Sequence, residues 1–99
     1  MAAVIAVGPT LTYIASGTDI TFEWDANTEE NLAGYRLYMS NTSGVYEYGV
    51  ESNNYIASIE AGTEAYEQQD VPAGTHYWVL TAYDTEGNES GPSNEVTYP

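Results

Sequence analysis

No stretch of this chain sustains the 3.6-residue apolar repeat of an amphipathic helix. Apolar and polar residues alternate instead in short runs separated by turn residues. That pattern restricts the chain to small antiparallel β architectures. The clearest run is TDITFEWD at 18–25, where Ile20, Phe22 and Trp24 share one face and Thr21 and Glu23 the other. It predicts a half-buried strand with its apolar face inward.

The same alternation organises the rest. Leu11 and Tyr13 alternate after Gly8-Pro9. DANTEENLAG is a loop rich in turn residues. In AGYRLYMS, Tyr35, Leu37 and Met39 oppose Arg36, Tyr38 and Ser40, and SNTSG at 40–44 is a turn. The segment VYEYGVESNNYIASIEAG predicts one short strand near 45–49 and another near 55–59. A further strand is predicted over 63–69, with Ala65 and Glu67 facing opposite to Tyr66. VPAG at 71–74 is a tight corner, 75–84 the longest strand, DTEGNESGPS a turn and NEVTY the last strand. About seven strands with turns between them predict an all-β antiparallel sandwich. No internal repeat of useful length appears.

The 99 residues fit one domain, and a hydrophobic share of 42% is that of a globular chain. With no cysteine, disulfides and thiolate metal sites are excluded. Fifteen Asp and Glu face a single Arg, giving a formal net charge of −14. Such a surface repels phosphate backbones and anionic membranes, so neither nucleic acid nor membrane is an expected partner. It favours cationic partners or high salt. The acids are spread along the chain, as in a solvated acidic surface. The opening MAAVIAVG is apolar, but it lacks a basic flank and is too short for a secretory or membrane-spanning segment, so no targeting segment is visible.

ITFEWD, then a short acidic loop, then NLAGYRLY, then VPAGTHYWVLTAYDTEGNESGPSNEV resembles a fibronectin type III domain, most of all the bacterial and phage branch of that family. The resemblance covers about Pro9 to Tyr98. It rests on an ordered set: a Trp ending the second strand, Gly-Tyr-x-Leu-Tyr opening the third, and a long sixth strand leading into Asp-x-x-Gly-Asn-x-Ser. It implies an immunoglobulin-like sandwich, with strands A, B and E in one sheet and C, C′, F and G in the other. In the sixth strand both faces look apolar. The resemblance favours Trp78, Leu80 and Ala82 inward, with His76 near the family's corner tyrosine. The competing register makes Tyr77 that corner residue and flips every side chain. Residues 1–8 extend beyond the family pattern, and 45–62 is longer than its usual C′ region. The domain reading is an apolar arm at 1–8 followed by a sandwich at 9–99.

His76 is the only histidine and has aromatic and aliphatic neighbours in sequence. A nucleophilic triad or a zinc site needs more convergent partners than that. It reads as a hydrogen-bonded residue at a strand start, with no catalytic residue, no cofactor and no enzyme activity expected. Asp25, Glu29 and Glu30 lie on one predicted loop, and Asp84, Glu86 and Glu89 on another. The sandwich would put both loops at the same end. Asp25, Glu29, Asp84 and Glu86 are therefore weak Ca²⁺ candidates, against the alternative of solvated loop charge. Tyr38, Tyr46, Tyr48 and Tyr55 form a candidate exposed strip on the C–C′ face. A protein partner, plain cross-strand pairing and sugar stacking all suit such a strip. In the arm, Val4, Ile5 and Val7 are candidate docking residues by strand addition.

These readings converge on a non-catalytic structural or interaction module. The chain starts at Met and closes just after its last strand. The expectation is a phage virion decoration protein at the particle surface, docking on a capsid or tail protein through the arm and one sheet face. An oligomer within that assembly is possible. The alternative is an extracellular accessory module of a secreted carbohydrate-active enzyme or adhesin.

Overall fold

The computed structural model describes residues 10–28 and 30–99. Among the described residues, seven strands form two antiparallel sheets. They are β1 (Leu11–Ser16), β2 (Asp19–Trp24), β3 (Leu32–Ser40), β4 (Tyr55–Glu60), β5 (Ala65–Gln68), β6 (His76–Asp84) and β7 (Val96–Tyr98). The smaller sheet has the order β1-β2-β5 and the larger β4-β3-β6-β7. This is the division expected for strands A, B, E and C, C′, F, G.

The alternation seen in the sequence becomes the core. Ile20 and Phe22 are fully buried and Trp24 nearly so. They meet Tyr35, Leu37, Trp78, Leu80 and Ala82 from the other sheet. Phe22 packs on Trp78 with ring centroids 5.4 Å apart, and Trp24 sits edge-on to Tyr35 at 5.3 Å. Tilted and edge-on contacts of this kind suit the ring quadrupoles.

The register of β6 is the one with Trp78, Leu80 and Ala82 inward. Tyr35 pairs with Ala82, Leu37 with Leu80 and Met39 with Trp78. His76 lies on that same face and is buried, while Tyr77 is half-buried on the other. Val79 and Thr81 on the outer face are buried as well, which explains why both faces of this strand look apolar.

Two predicted strands change. Residues 45–48 form no strand, and the predicted strand at 63–69 contracts to β5. In the first case the backbone donors go to side chains instead of a neighbouring strand. Gly44 N donates to Glu95, Glu47 N to Asn54 Oδ1 and Gly49 N to the Tyr38 hydroxyl. Residues 89–93 run beside β6 without being a regular strand, and side chains again take backbone donors. There the Ser90 and Ser93 hydroxyls accept from Ala82 N and Leu80 N. Pro92, lying between them, has no N–H to give a ladder.

Candidate interaction face

Outward residues of β3 and β6 build a polar cluster on the larger sheet. Strand alternation points Arg36 and Tyr38 away from the core, and Thr81 stands beside them from the paired strand. Glu89 reaches back over this face from the β6–β7 connection. One carboxylate oxygen accepts from Arg36 at 3.0 Å. The other accepts from the Tyr38 hydroxyl at 2.5 Å and from Thr81 Oγ1 at 2.6 Å. The Arg36 guanidinium also lies over the Tyr83 ring, 4.3 Å from its centroid, a favourable cation–π distance.

A second carboxylate works the same way at the neighbouring loop. Glu95 accepts from Ser43 Oγ, from Gly44 N at 2.8 Å and from the Tyr46 hydroxyl at 2.8 Å. Burial alone would raise its pKa, but these donors outweigh burial and hold it below the usual carboxylate range. Burial and then the Glu95 contact push the Tyr46 phenol up in turn. Tyr38 rises to about 12, through burial first and the Glu89 hydrogen bond second. Tyr48 is raised by burial and then by the charges of Glu89 and Glu95. All three phenols are thus held neutral, and Tyr38 and Tyr46 donate to the carboxylates of Glu89 and Glu95.

The four tyrosines singled out in the sequence do come together. Tyr38 contacts Tyr48 at 5.1 Å and Tyr55 at 6.3 Å, and Tyr46 lies 6.2 Å from Tyr48. They do not form an exposed strip. Tyr38 is fully buried beneath the 43–52 segment, and Tyr46 and Tyr55 are half-buried. The reason is the loop itself: its Gly49 N–H binds the Tyr38 hydroxyl and draws the chain over the ring. Sequence reasoning missed Glu89 and Glu95 as organisers of this face, because nothing local marks two carboxylates among fifteen. Val4, Ile5 and Val7 lie outside the described residues.

Asp84, named above as a weak Ca²⁺ candidate, organises a turn. It is buried at the end of β6. Its carboxylate accepts from Glu86 N, Asn88 N and Asn88 Nδ2 at 2.9–3.0 Å, and from Asn31 Nδ2 at 3.4 Å. Burial pulls its pKa up, but these donors win and lower it. Oxygens committed to N–H donors are poorly placed to ligate a cation. Asp25 and Glu86 are exposed, Glu29 lies outside the described residues, and among the described residues no three potential ligands converge.

His76 ties a corner together. Its Nε2 donates to the Pro72 carbonyl at 3.0 Å, and Nδ1 lies 2.7 Å from the Asn41 amide oxygen. Its ring stands edge-on to Trp78 at 6.1 Å. An open cleft of about 130 Å³ lies nearby, lined by Gly17, Thr18, Val71, Pro72 and Tyr98 among others. Among the described residues, the His76 ring nitrogens meet only the Asn41 amide oxygen and the Pro72 carbonyl, and the Thr97 hydroxyl donates to the His76 carbonyl instead.

No family model matches the sequence, and no curated protein matches it in sequence. Solved structures do match in shape. A Fn3-like protein from Clostridium thermocellum is 24% identical, with a TM-score of 0.66 over 100% of this chain and 96% of that one. The chain has the fibronectin type III fold. Parts of two enzymes have a similar fold. The spore cortex lytic enzyme SleM of Clostridium perfringens is 19% identical with a TM-score of 0.69, over 95% of this chain. Pectate lyase PelI of Erwinia chrysanthemi, solved with tetragalacturonic acid, is 20% identical with a TM-score of 0.70, over 91% of this chain. This chain spans only 27% of the SleM chain and 28% of the PelI chain. At these identities the likeness is one of fold.

Proposed function

We propose that this fibronectin type III unit is a non-catalytic connector module of a larger extracellular carbohydrate-active protein. One observation carries the reading: the two ends of the sandwich chain lie at opposite poles. β1 and β7 run side by side in the same direction. Leu11 N donates to Asn94 at one pole, the Tyr13 hydroxyl to Thr97 O between, and the Tyr98 hydroxyl to Gly17 O at the other. A unit entered at one pole and left at the other sets its neighbours a fixed distance apart. The occurrence of similar units within SleM and PelI supports the same reading. The virion expectation finds no such support, since none of the similar structures described above is a virion component by name.

The test joins two fluorescent reporter domains, one to each end, and incubates the fusion with pectate, a neutral β-glucan and peptidoglycan. The expected result is a single narrow inter-reporter distance and no release of reducing ends. A broad distance distribution would overturn the connector role, and sugar release would overturn the non-catalytic one.

A further inference from the structure

We infer that the loop between β3 and β4 is a preformed docking element for a protein surface with an apolar socket and a basic rim. Among the described residues four large hydrophobic side chains are exposed, and three of them, Val45, Tyr48 and Val50, fall within six residues on this loop. Each is at least 45% exposed. Isolated exposed apolar residues need no explanation, but such a concentration marks an interaction surface.

The loop is not loosely held. Glu95 fixes its start at Ser43, Gly44 and Tyr46. Tyr38 fixes its middle at Gly49. Asn54 fixes its end, donating to Met39 O at 2.8 Å and accepting from Glu47 N at 2.7 Å. Tyr48 rests edge-on against the buried Tyr38 ring. A backbone pinned at both ends and in the middle loses little conformational freedom on binding, which favours affinity.

Charge selects the partner. Glu47 and Glu51 are exposed on the same loop, and the chain's single arginine is already paired with Glu89. With a net charge of −14, a second copy of this chain is repelled and a basic rim is attracted. Side-chain chemistry selects protein over sugar. A sugar platform needs open ring faces, yet Tyr46 and Tyr55 are half-buried with hydroxyls bound to Glu95 and Ser58. What the loop offers most freely is Val45 and Val50, which stack on no sugar ring but bury well in a protein pocket. The docking loop stands whether or not the chain sits beside an enzyme, because it rests only on the loop's own geometry and charge.

The test selects a random peptide library, displayed on yeast, against the 99-residue protein. Selected peptides should carry apolar residues flanked by Lys or Arg. They should bind the Val45→Ser/Val50→Ser variant roughly tenfold more weakly or worse. Glu47→Gln/Glu51→Gln should weaken binding and flatten its salt dependence. Unchanged denaturation midpoints in both variants show that the fold is intact. Peptides that bind parent and Val45→Ser/Val50→Ser equally would overturn the inference. So would peptides without basic residues, a neutral glycan that needs Tyr48, or concentration-dependent self-association lost in the valine variant.

Discussion

Gly34 lets β3 and β4 meet as closely as they do. A Cβ built there would fall 2.4 Å from the Ile59 carbonyl oxygen and 3.0 Å from the Tyr83 hydroxyl. The carbonyl belongs to the paired backbone of β4 and cannot swing aside as a side chain tip would. Gly34→Ala is therefore expected to destabilise by about 1–3 kcal/mol, the usual range for overpacking. The denaturant midpoint should fall with an unchanged slope, and an unchanged midpoint would mean that the two strands have slack. The sequence marks Gly34 only as part of a Gly-Tyr pattern opening a strand. The clash that makes glycine necessary involves residues 25 and 49 positions away, so no local signal carries it. Trp24 is the opposite case: its burial is legible from two alternating neighbours, Ile20 and Phe22, because strand period alone decides which face it takes.

At the scale of elements, β6 and the turn that follows it hold most of the polar order. The sandwich was readable from periodicity and turn residues, whereas the inward face of β6, where both faces look apolar, was favoured only by the family resemblance. The cover of the outer face was not readable, because it comes from distant residues: Glu89 meets Arg36 across 53 residues. Glu89→Gln is expected to cost about 1.5–3 kcal/mol, the range for hydrogen bonds to charged groups. It leaves a largely buried guanidinium without its counter-charge. A double-mutant cycle with Arg36→Met should show clear coupling, and strict additivity would deny that the pair acts as a unit. The turn after β6 gives the acid response. The folded-state pKa of Asp84 lies below its unfolded value. The unfolded chain therefore binds the proton first as pH falls. The stabilisation is full above about pH 4, the ordinary carboxylate range, and is lost as pH drops through the depressed folded value. Thermal midpoints of the parent should fall over that acid window. Asp84→Asn should start lower at neutral pH and fall less, and parallel curves would show that the turn does not depend on the carboxylate.

At the scale of the whole molecule, net charge opposes the packing. Fifteen acids and one paired arginine in a 99-residue fold repel one another at low ionic strength. The Debye length shortens from about 30 Å at 0.01 M to about 8 Å at 0.15 M salt. Added NaCl is therefore expected to raise the thermal midpoint steeply at first and then level off. This screening imitates ion binding, which is why acidic loops read from sequence suggest calcium so easily. The two effects separate when Ca²⁺, Mg²⁺ and Na⁺ are compared at matched ionic strength. Hydrogen-bond donors already occupy Asp84, and Asp25 and Glu86 stand exposed. The expected outcome is therefore the same midpoint in Ca²⁺ and Mg²⁺. A rise specific to Ca²⁺ and saturable in concentration follows ligand linkage, not screening. That result would require Asp84 to release its turn in favour of the cation, and Asp84→Asn would then abolish the rise while leaving the NaCl response in place.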